Sequence, residues 1–433
     1  MLISRRHALT AAGLAAVAAS LAACGSGSSG KTSDGKDVIH AMFVNSTSDV
    51  AVWEIIQDIT KRFNESNTFN VEMQVEGYEN EQYKTKLASL MASSSQPDVF
   101  FTWSSGYLKP FVEGGKIYEI GQLLDADEEW KARFNESVFG PVSFDDKIYA
   151  VPNGQVVAVM FYNTEIFDQV GVQVPTTYEE FVDVVTKIKA AGITPISAPV
   201  KDAWIAGQLL QQLANAHGGQ ELFDGTVDGS RKWNDEKYVQ AGEKLKELVE
   251  LGAFPDGYLG MTNDEGRNLF TAGECAMYYM GSWDTGVLSD ESLAIAGKVS
   301  AFNIPAAKGL EENVAVGDID LAYAVSSTSK HPEAAAEFIK MFSDPEVQAK
   351  LASGANYLPS TSVPLDESAL SPLFVTVSGI QEELTATTPW FDRVFGAGEG
   401  VEFNNAAQAI IAGEDPQQHM DSLQSFAQSN AQR

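Results

Sequence analysis

Between Asp37 and Trp103 the apolar residues keep changing period, and that alternation limits the fold most. "DVIHAMFV" is a short apolar run that reads as a strand. In "VWEIIQDITKRFNE", Val52, Ile55, Ile56, Ile59 and Phe63 recur at helical spacing and mark one buried face. "FNVEMQVEGY" alternates as a strand, "EQYKTKLASLMASSS" is a second helix, and "PDVFFTW" is a buried strand. Strand, helix, strand, helix, strand calls for a parallel sheet with helices on both faces.

The alternation goes on along the chain. "DKIYAVPNGQVVAVMFYN" holds two extended runs split at Pro152-Asn153-Gly154. "TYEEFVDVVTKIKAAG" reads as a helix opened by a capping box at Thr177 and Glu180 and stopped at Gly192. "KYVQAGEKLKELVELG" is another, stopped at Gly252. "ECAMYYM" and "SAFNIP" read as strands, and "HPEAAAEFIKMFSD" as a helix with Pro332 in its first turn. At 433 residues the chain is too long for one small core and suits two lobes.

The start of the chain is different in kind. Arg5 and Arg6 precede a small and apolar run, Ala8 to Ala23, too short to span a bilayer comfortably. A basic start, a short apolar middle and small residues before a cut site make an export signal, 1–23. Leu21-Ala22-Ala23-Cys24 resembles the bacterial lipobox, which implies cleavage before Cys24 and a lipid on it. The glycine- and serine-rich stretch 24–36 then reads as a flexible tether. The paired arginines resemble a twin-arginine signal, but they suit ordinary secretion equally.

Composition excludes several functions. Lysine and arginine total 29 against 59 acids, a formal charge of −30 that repels nucleic acid and anionic lipid. With Cys24 lipidated, Cys275 is left without a disulfide partner and reads as a buried small hydrophobe. His7, His40, His217, His331 and His419 are scattered, and no HExxH, paired CxxC, GxGxxG, Walker A or GxSxG motif occurs. No cofactor and no metal site is expected.

Four further segments, in order, carry a resemblance. They are "PDVFFTWSSGYLKPFVEGGKIYEI", "KIYAVPNGQVVAVMFYNTEIF", "FTAGECAMYYMGSWD" and "SSTSKHPEAAAEFIKMFSDPEVQAKLA". Together they resemble the carbohydrate-binding, maltose-binding-protein-like family of extracellular solute-binding proteins of ABC importers. The resemblance implies a type II, two-lobe α/β fold with crossing hinge strands and the ligand in the cleft between lobes. It places lobe one at 37–152 and 305–357, and lobe two at 153–304 and 358–433. It implies a monomer on the outer face of the cell membrane that passes a carbohydrate, an oligosaccharide, to a permease without chemistry.

A sugar presents a C–H face and a rim of hydroxyls, so aromatic rings with carboxylates, amides or arginine nearby are its candidate partners. Trp103 ends a buried strand, where parallel sheets present ligands, and Ser104 follows it. Trp283, in "GSWD", matches the family's stacking position; Asp284 beside it either bonds a hydroxyl or caps the next turn. Trp204 and the cluster Trp390, Asp392 and Arg393 are divided evenly between cleft and core or surface. Asp318 and Asp320 precede an apolar strand and would share a face if the strand alternates; Asp318 is the family's hydroxyl acceptor. Asn153 and Gln155 serve either the cleft or the hinge. Trp53 reads as core, Trp130, among acids, as surface, and Trp233, in a polar loop, is set aside.

Two rivals remain. An exported glycoside hydrolase would need two carboxylates about 5 to 9.5 Å apart across a cleft, with Asp318 and Asp392 as the pair. The same fold could also hold a non-sugar solute, a polyamine, an amino-acid derivative or an anion.

Overall fold

Strand β1 (Asp37–Val44) lies in the middle of a parallel trio, paired with β2 (Val71–Tyr78) on one side and β3 (Val99–Thr102) on the other. The computed structural model describes residues 31–45, 50–93, 95–395 and 398–431. The expected signal 1–23, Cys24 and the start of the tether lie outside the described residues. Helices α1 (Val50–Ser66) and α2 (Asn80–Ala92) make the crossovers, as the periodicity requires. Val52, Ile56, Ile59 and Phe63 of α1 are buried, so the apolar stripe is the core face. Helix α3 (Ser105–Glu113) follows β3 at once.

The long strand β4 (Val151–Asn163) joins two halves of a ten-stranded sheet. Beyond it come α4 (Tyr178–Ala190), β5 (Thr194–Ser197), α5 (Ala203–Val227), α6 (Glu236–Glu250) and α7 (Asn263–Thr271). Then follow β6 (Cys275–Gly281), β7 (Val299–Phe302), β8 (Val314–Val325) and α8 (Pro332–Phe342). The chain closes with β9 (Ala386–Thr388), the short α9 (Phe391–Val394) and α10 (Glu399–Ile411), before a last helix over Pro416–Ala431.

The main sheet path runs β2-β1-β3-β8-β4-β6-β5. The C-terminal end of β8 pairs antiparallel with β3, and its middle pairs with the start of β4. The end of β4 pairs instead with β6 and β7. Thus β4 and β8 both pass from one α/β half to the other. This is the two-lobe, type II architecture with crossing strands.

Local chemistry follows the sequence closely. Thr177 accepts the Glu180 amide at 3.2 Å and caps α4, although the Glu180 carboxylate reaches Thr176 rather than Thr177. Pro332 occupies the first turn of α8. Cys275 is buried on β6, and burial pushes its thiol up to about 12, so it is an inert core residue. One tryptophan reading needs correction. Trp130, expected on the surface, is only 2 % exposed: its four-residue helix turns the flanking acids outward and the indole inward. Trp233, set aside as a loop residue, is also buried, packed on Phe391, Phe395 and Phe403. Trp53 is half-buried against the core.

Among the described residues no helix is long and apolar enough to cross a membrane.

Candidate functional site

A cavity of about 730 Å³ opens between the two halves. One side is built from the ends of β1 and β3, the first turns of α2 and α3, and Asp320, Leu321 and Tyr323 of β8. The other is built from the starts of α5 and α7, Trp283 just after β6, and the segment at the start of α9. Helices that start just beyond strand ends supply most of the wall, on the side where an open α/β sheet meets a ligand.

Three indoles gather on one side. Trp283 lies 6.0 Å from Trp204 and 5.9 Å from Trp390, centroid to centroid. Trp283 lies flat on the backbone of Gly281: a Cβ there would sit 2.2 Å from the ring. Glycine at 281 therefore sets the depth of the indole. Trp103 stands on the facing side, edge-on to Phe101 at 4.7 Å and to Tyr107 at 4.8 Å. All four expected tryptophans line the cavity.

Trp390 is held from behind. Its Nε1–H donates to the Gln208 side-chain oxygen at 3.0 Å. Gln211 donates to the Pro389 carbonyl at 2.7 Å and accepts the Phe391 amide at 3.0 Å. Both glutamines are buried on α5, so one rigid helix fixes the loop that carries this indole. The Arg393 guanidinium lies 4.0 Å over the Trp390 ring and pairs with Asp320 at 2.6 Å. This aligns the guanidinium for both ring and carboxylate. Asp392 also lines the cavity and accepts from Asn404 at 3.0 Å.

Gly106 permits the close approach of α3 to α9. A Cβ on it would fall 1.8 Å from the Val394 carbonyl oxygen.

Five expected site residues are not in the cavity wall. Asp284 is fully buried beneath it: its carboxylate takes the Arg267 guanidinium at 3.3 Å and the Tyr278 hydroxyl at 2.8 Å. It does not line the cavity, and its side chain caps no helix. Asn153 points into the hinge, where Gln348 donates to it at 2.6 Å and it donates to Tyr323 at 3.4 Å. Gln155 stays on β4 opposite Ile319. Ser104 is buried and its hydroxyl donates to Asp318, which also accepts the Ile319 amide at 2.7 Å. The Asp318 carboxylate is thereby engaged by Ser104 and by its own strand's backbone.

Asp318 and Asp320 part company because β8 is not regular. Ile319 pairs with Gln155 and Leu321 with Gly154, so Asp320 is an extra residue, and Asn153 is skipped on β4 in compensation. A bulge ends the alternation on which the shared face depended. Asp320 reaches the cavity in place of Asp318, with Arg393 and the Tyr357 hydroxyl, at 3.4 Å, as its partners.

Burial pushes the Asp318 carboxyl up to about 6, against the pull of Arg393 and of the Ser104 bond. The folded chain then holds a proton that the unfolded chain has released. The associated stability is present below about pH 4 and lost as pH rises through about 6. Asp318→Asn is expected to remove that slope. In thermal melts its Tm should gain on the wild type between pH 4 and pH 7; a constant offset across that range would contradict the assignment.

The sequence reading missed the polar rim. Glu79, Asn80, Glu81, Gln82 and Lys84 follow β2 directly, and Lys201, Asp202, Thr262, Asn263 and Asp264 face them. "YENEQYK" sits at the end of a parallel strand, and that position is the signal that could have found it. The Asn80 side-chain oxygen is buried in the wall without a partner. Burial, and then the Asp264 charge, hold Glu79 above the usual carboxylate range; burial, and then Glu81, do the same for Asp202.

A gap between two α/β halves that share crossing strands, walled by indoles and polar side chains, is the geometry of a solute receptor. The family profile described as bacterial extracellular solute-binding protein matches residues 47–349. The chain belongs to this family. The solute-binding protein is similar to a solved structure from a study of xylan utilization by the thermophilic bacterium Caldanaerobius polysaccharolyticus. That pair shares 26 % identity with a TM-score of 0.84, over 90 % of this chain and 99 % of the other. It is similar to a chitin oligosaccharide binding protein at 25 % identity and a TM-score of 0.84, over 92 % and 99 % of the two chains. It is also 25 % identical, over 336 residues, to the sn-glycerol-3-phosphate-binding periplasmic protein of Rhizobium meliloti, covering 74 % of this chain and 75 % of that one. Its matches to curated relatives span from 47 % to 75 % of their lengths.

Proposed function

We propose that this solute-binding protein closes around a carbohydrate, an oligosaccharide, and delivers it chemically unchanged to the permease of an ABC importer. The single observation that carries the reading is the indole wall: Trp204, Trp283 and Trp390 facing Trp103 across one open gap. Indole faces match the C–H faces of sugar rings, and the polar rim matches the hydroxyls. Asp392 and Arg393 are the charged members of the ligand set, with Asp320 added. The likeness to a chitin oligosaccharide binding protein supports a saccharide with more than one ring.

The working parts follow. Residues 37–152 with 305–357 act as one lobe and 153–304 with 358–433 as the other. Bound ligand touches both and favours the closed form by those contacts. Lipid on Cys24 holds the monomer at the outer face of the cell membrane, where the permease meets it. A ligand held by stacking and a few hydrogen bonds fits an affinity on the order of micromolar, about −8 kcal/mol.

The anionic alternative is disfavoured by charge. Six acids line the cleft against three cations, of which Lys84 is paired with Glu81 and Arg393 with Asp320. A phosphorylated solute would meet a net negative wall. The hydrolase reading loses one of its two suspects, since Asp318 lies outside the wall while Asp392 stays in it.

A thermal-shift screen tests the reading. Xylo-, chito- and malto-oligosaccharides are set beside sn-glycerol-3-phosphate and spermidine, and the ligand is recovered by chromatography afterwards. At least one oligosaccharide should raise the Tm by several degrees and be recovered intact, while the phosphate ester does nothing. A shift with the ester or the polyamine alone, or shortened saccharides, would overturn it.

A further inference from the structure

A second cavity, of about 690 Å³, shares no wall residue with the cleft. It lies between the first turn of α4, the middle of α5, α6 and the loop 307–310. The helix α5 breaks here. Gly219 takes φ 64° and ψ −166°, and the Glu312 carboxylate accepts the Gln220 amide at 2.8 Å to restart the helix. A Cβ at 219 would stand 2.3 Å from that carboxylate.

The wall holds one buried polar group with nothing to bond. Tyr178 is 2 % exposed, yet its hydroxyl has no hydrogen-bond partner. The charges acting on that hydroxyl belong to Glu247 and Glu179, both in the same wall. A buried donor left unmade is costly, and here it belongs to a residue of a cavity wall. His217 packs edge-on to the Tyr178 ring at 4.7 Å, and its Nδ1 bonds the Leu213 carbonyl at 2.8 Å. That bond places the proton on Nδ1 and leaves Nε2 as an acceptor.

The charges divide unevenly. Arg231 is taken by Glu221 at 2.6 Å and Asp235 at 3.1 Å, and Lys244 by Glu247 at 2.9 Å. Lys237 and Lys308 have no carboxylate partner among the described residues, against one unpaired acid, Glu179. In a chain of net charge −30 this wall carries four cations and three acids.

We infer that this cavity is a second binding site, for a small hydroxylated carboxylate. The ammonium groups of Lys237 and Lys308 meet its carboxylate, the Tyr178 hydroxyl donates to one of its oxygens, and His217 Nε2 accepts from one of its hydroxyls. A neutral sugar lacks the charge, and inorganic phosphate lacks the carbon-borne hydroxyls.

Calorimetric titration of the mature protein with gluconate, with glucose and inorganic phosphate as controls, tests this. Gluconate should bind saturably at one site, with a Kd on the order of millimolar. Tyr178→Phe should weaken that binding about tenfold and leave the free protein's Tm unchanged or raised, because an unmade donor is removed. Lys237→Gln, at an exposed position, should weaken it about threefold. Cleft ligands should bind both variants as the wild type, so failure here is separable from failure of the cleft reading. No saturable gluconate heat below about 50 mM, equal binding of glucose or phosphate, or unchanged affinity in both variants would overturn the proposal.

Discussion

Replacing Trp283 by alanine is expected to erase nearly all ligand-induced thermal stabilisation while leaving the Tm of the free protein within about 2 °C of wild type. The indole is half-buried and rests on Gly281, with Trp204 and Trp390 as its ring neighbours. Little core contact is lost on truncation, but the centre of the stacking wall goes. A central aromatic anchor in a binding site is worth about 2–4 kcal/mol, or roughly 30- to 1000-fold in Kd. Trp103 provides the contrast. It is 7 % exposed and packed edge-on against Phe101, Tyr107 and Tyr83. Its truncation should therefore lower both affinity and the stability of the free protein. A large fall in free-protein Tm for Trp283→Ala, with ligand binding intact, would make that ring structural.

Asp284→Ala is expected to be among the most destabilising substitutions in the chain. The Arg267 guanidinium is 5 % exposed and rests on the Asp284 carboxylate, which Tyr278 also bonds. Burial pushes the Asp284 carboxyl up, and Arg267 and the two bonds pull it back. Removing the carboxylate leaves Arg267 its pairing with the half-exposed Asp264 and takes away the fully buried charge it rests on. Breaking such a buried pair costs about 3–5 kcal/mol, a Tm fall of about 4–6 °C for a chain of this length. Asp284→Asn keeps the shape and the Tyr278 bond and should cost less. Circular-dichroism melts read both. Near-wild-type stability of Asp284→Ala with a loss of ligand affinity would return this residue to the cleft.

These two neighbours show what the sequence could and could not disclose. "GSWD" makes Trp283 visible because a large ring in a glycine-flanked loop has little to pack on except what enters the gap. The adjacent Asp284 looks equally available, yet its partner Arg267 lies on α7, and only the fold brings them together. The α/β alternation was legible because helix and strand periods are local, and the order of elements limits the topology. Asp318 was misplaced because a bulge at Asp320 is invisible in the residue pattern and inverts the face it depends on. Trp130 was misread because its acid neighbours hide the inward side of a single helical turn. The rim over Glu79–Lys84 shows no motif; its only sign is its place after β2.

The position of Trp390 was an even choice in the sequence, and the fold explains why. The ring is 4 % exposed, so it counts as core by area, yet it borders the cleft with Arg393 lying over it. Gln208 and Gln211 fix it from positions far away in the chain. A residue can thus be both packed and presented, and local sequence cannot separate the two.

The most direct test of the whole account is a crystal structure with the oligosaccharide that gives the largest thermal shift. The account predicts a sugar ring with its C–H face within about 4 Å of the Trp283 indole, residues of both lobes in contact with it, and every glycosidic bond intact. A ligand bound outside the gap, or seated there with the three clustered indoles untouched, would contradict it.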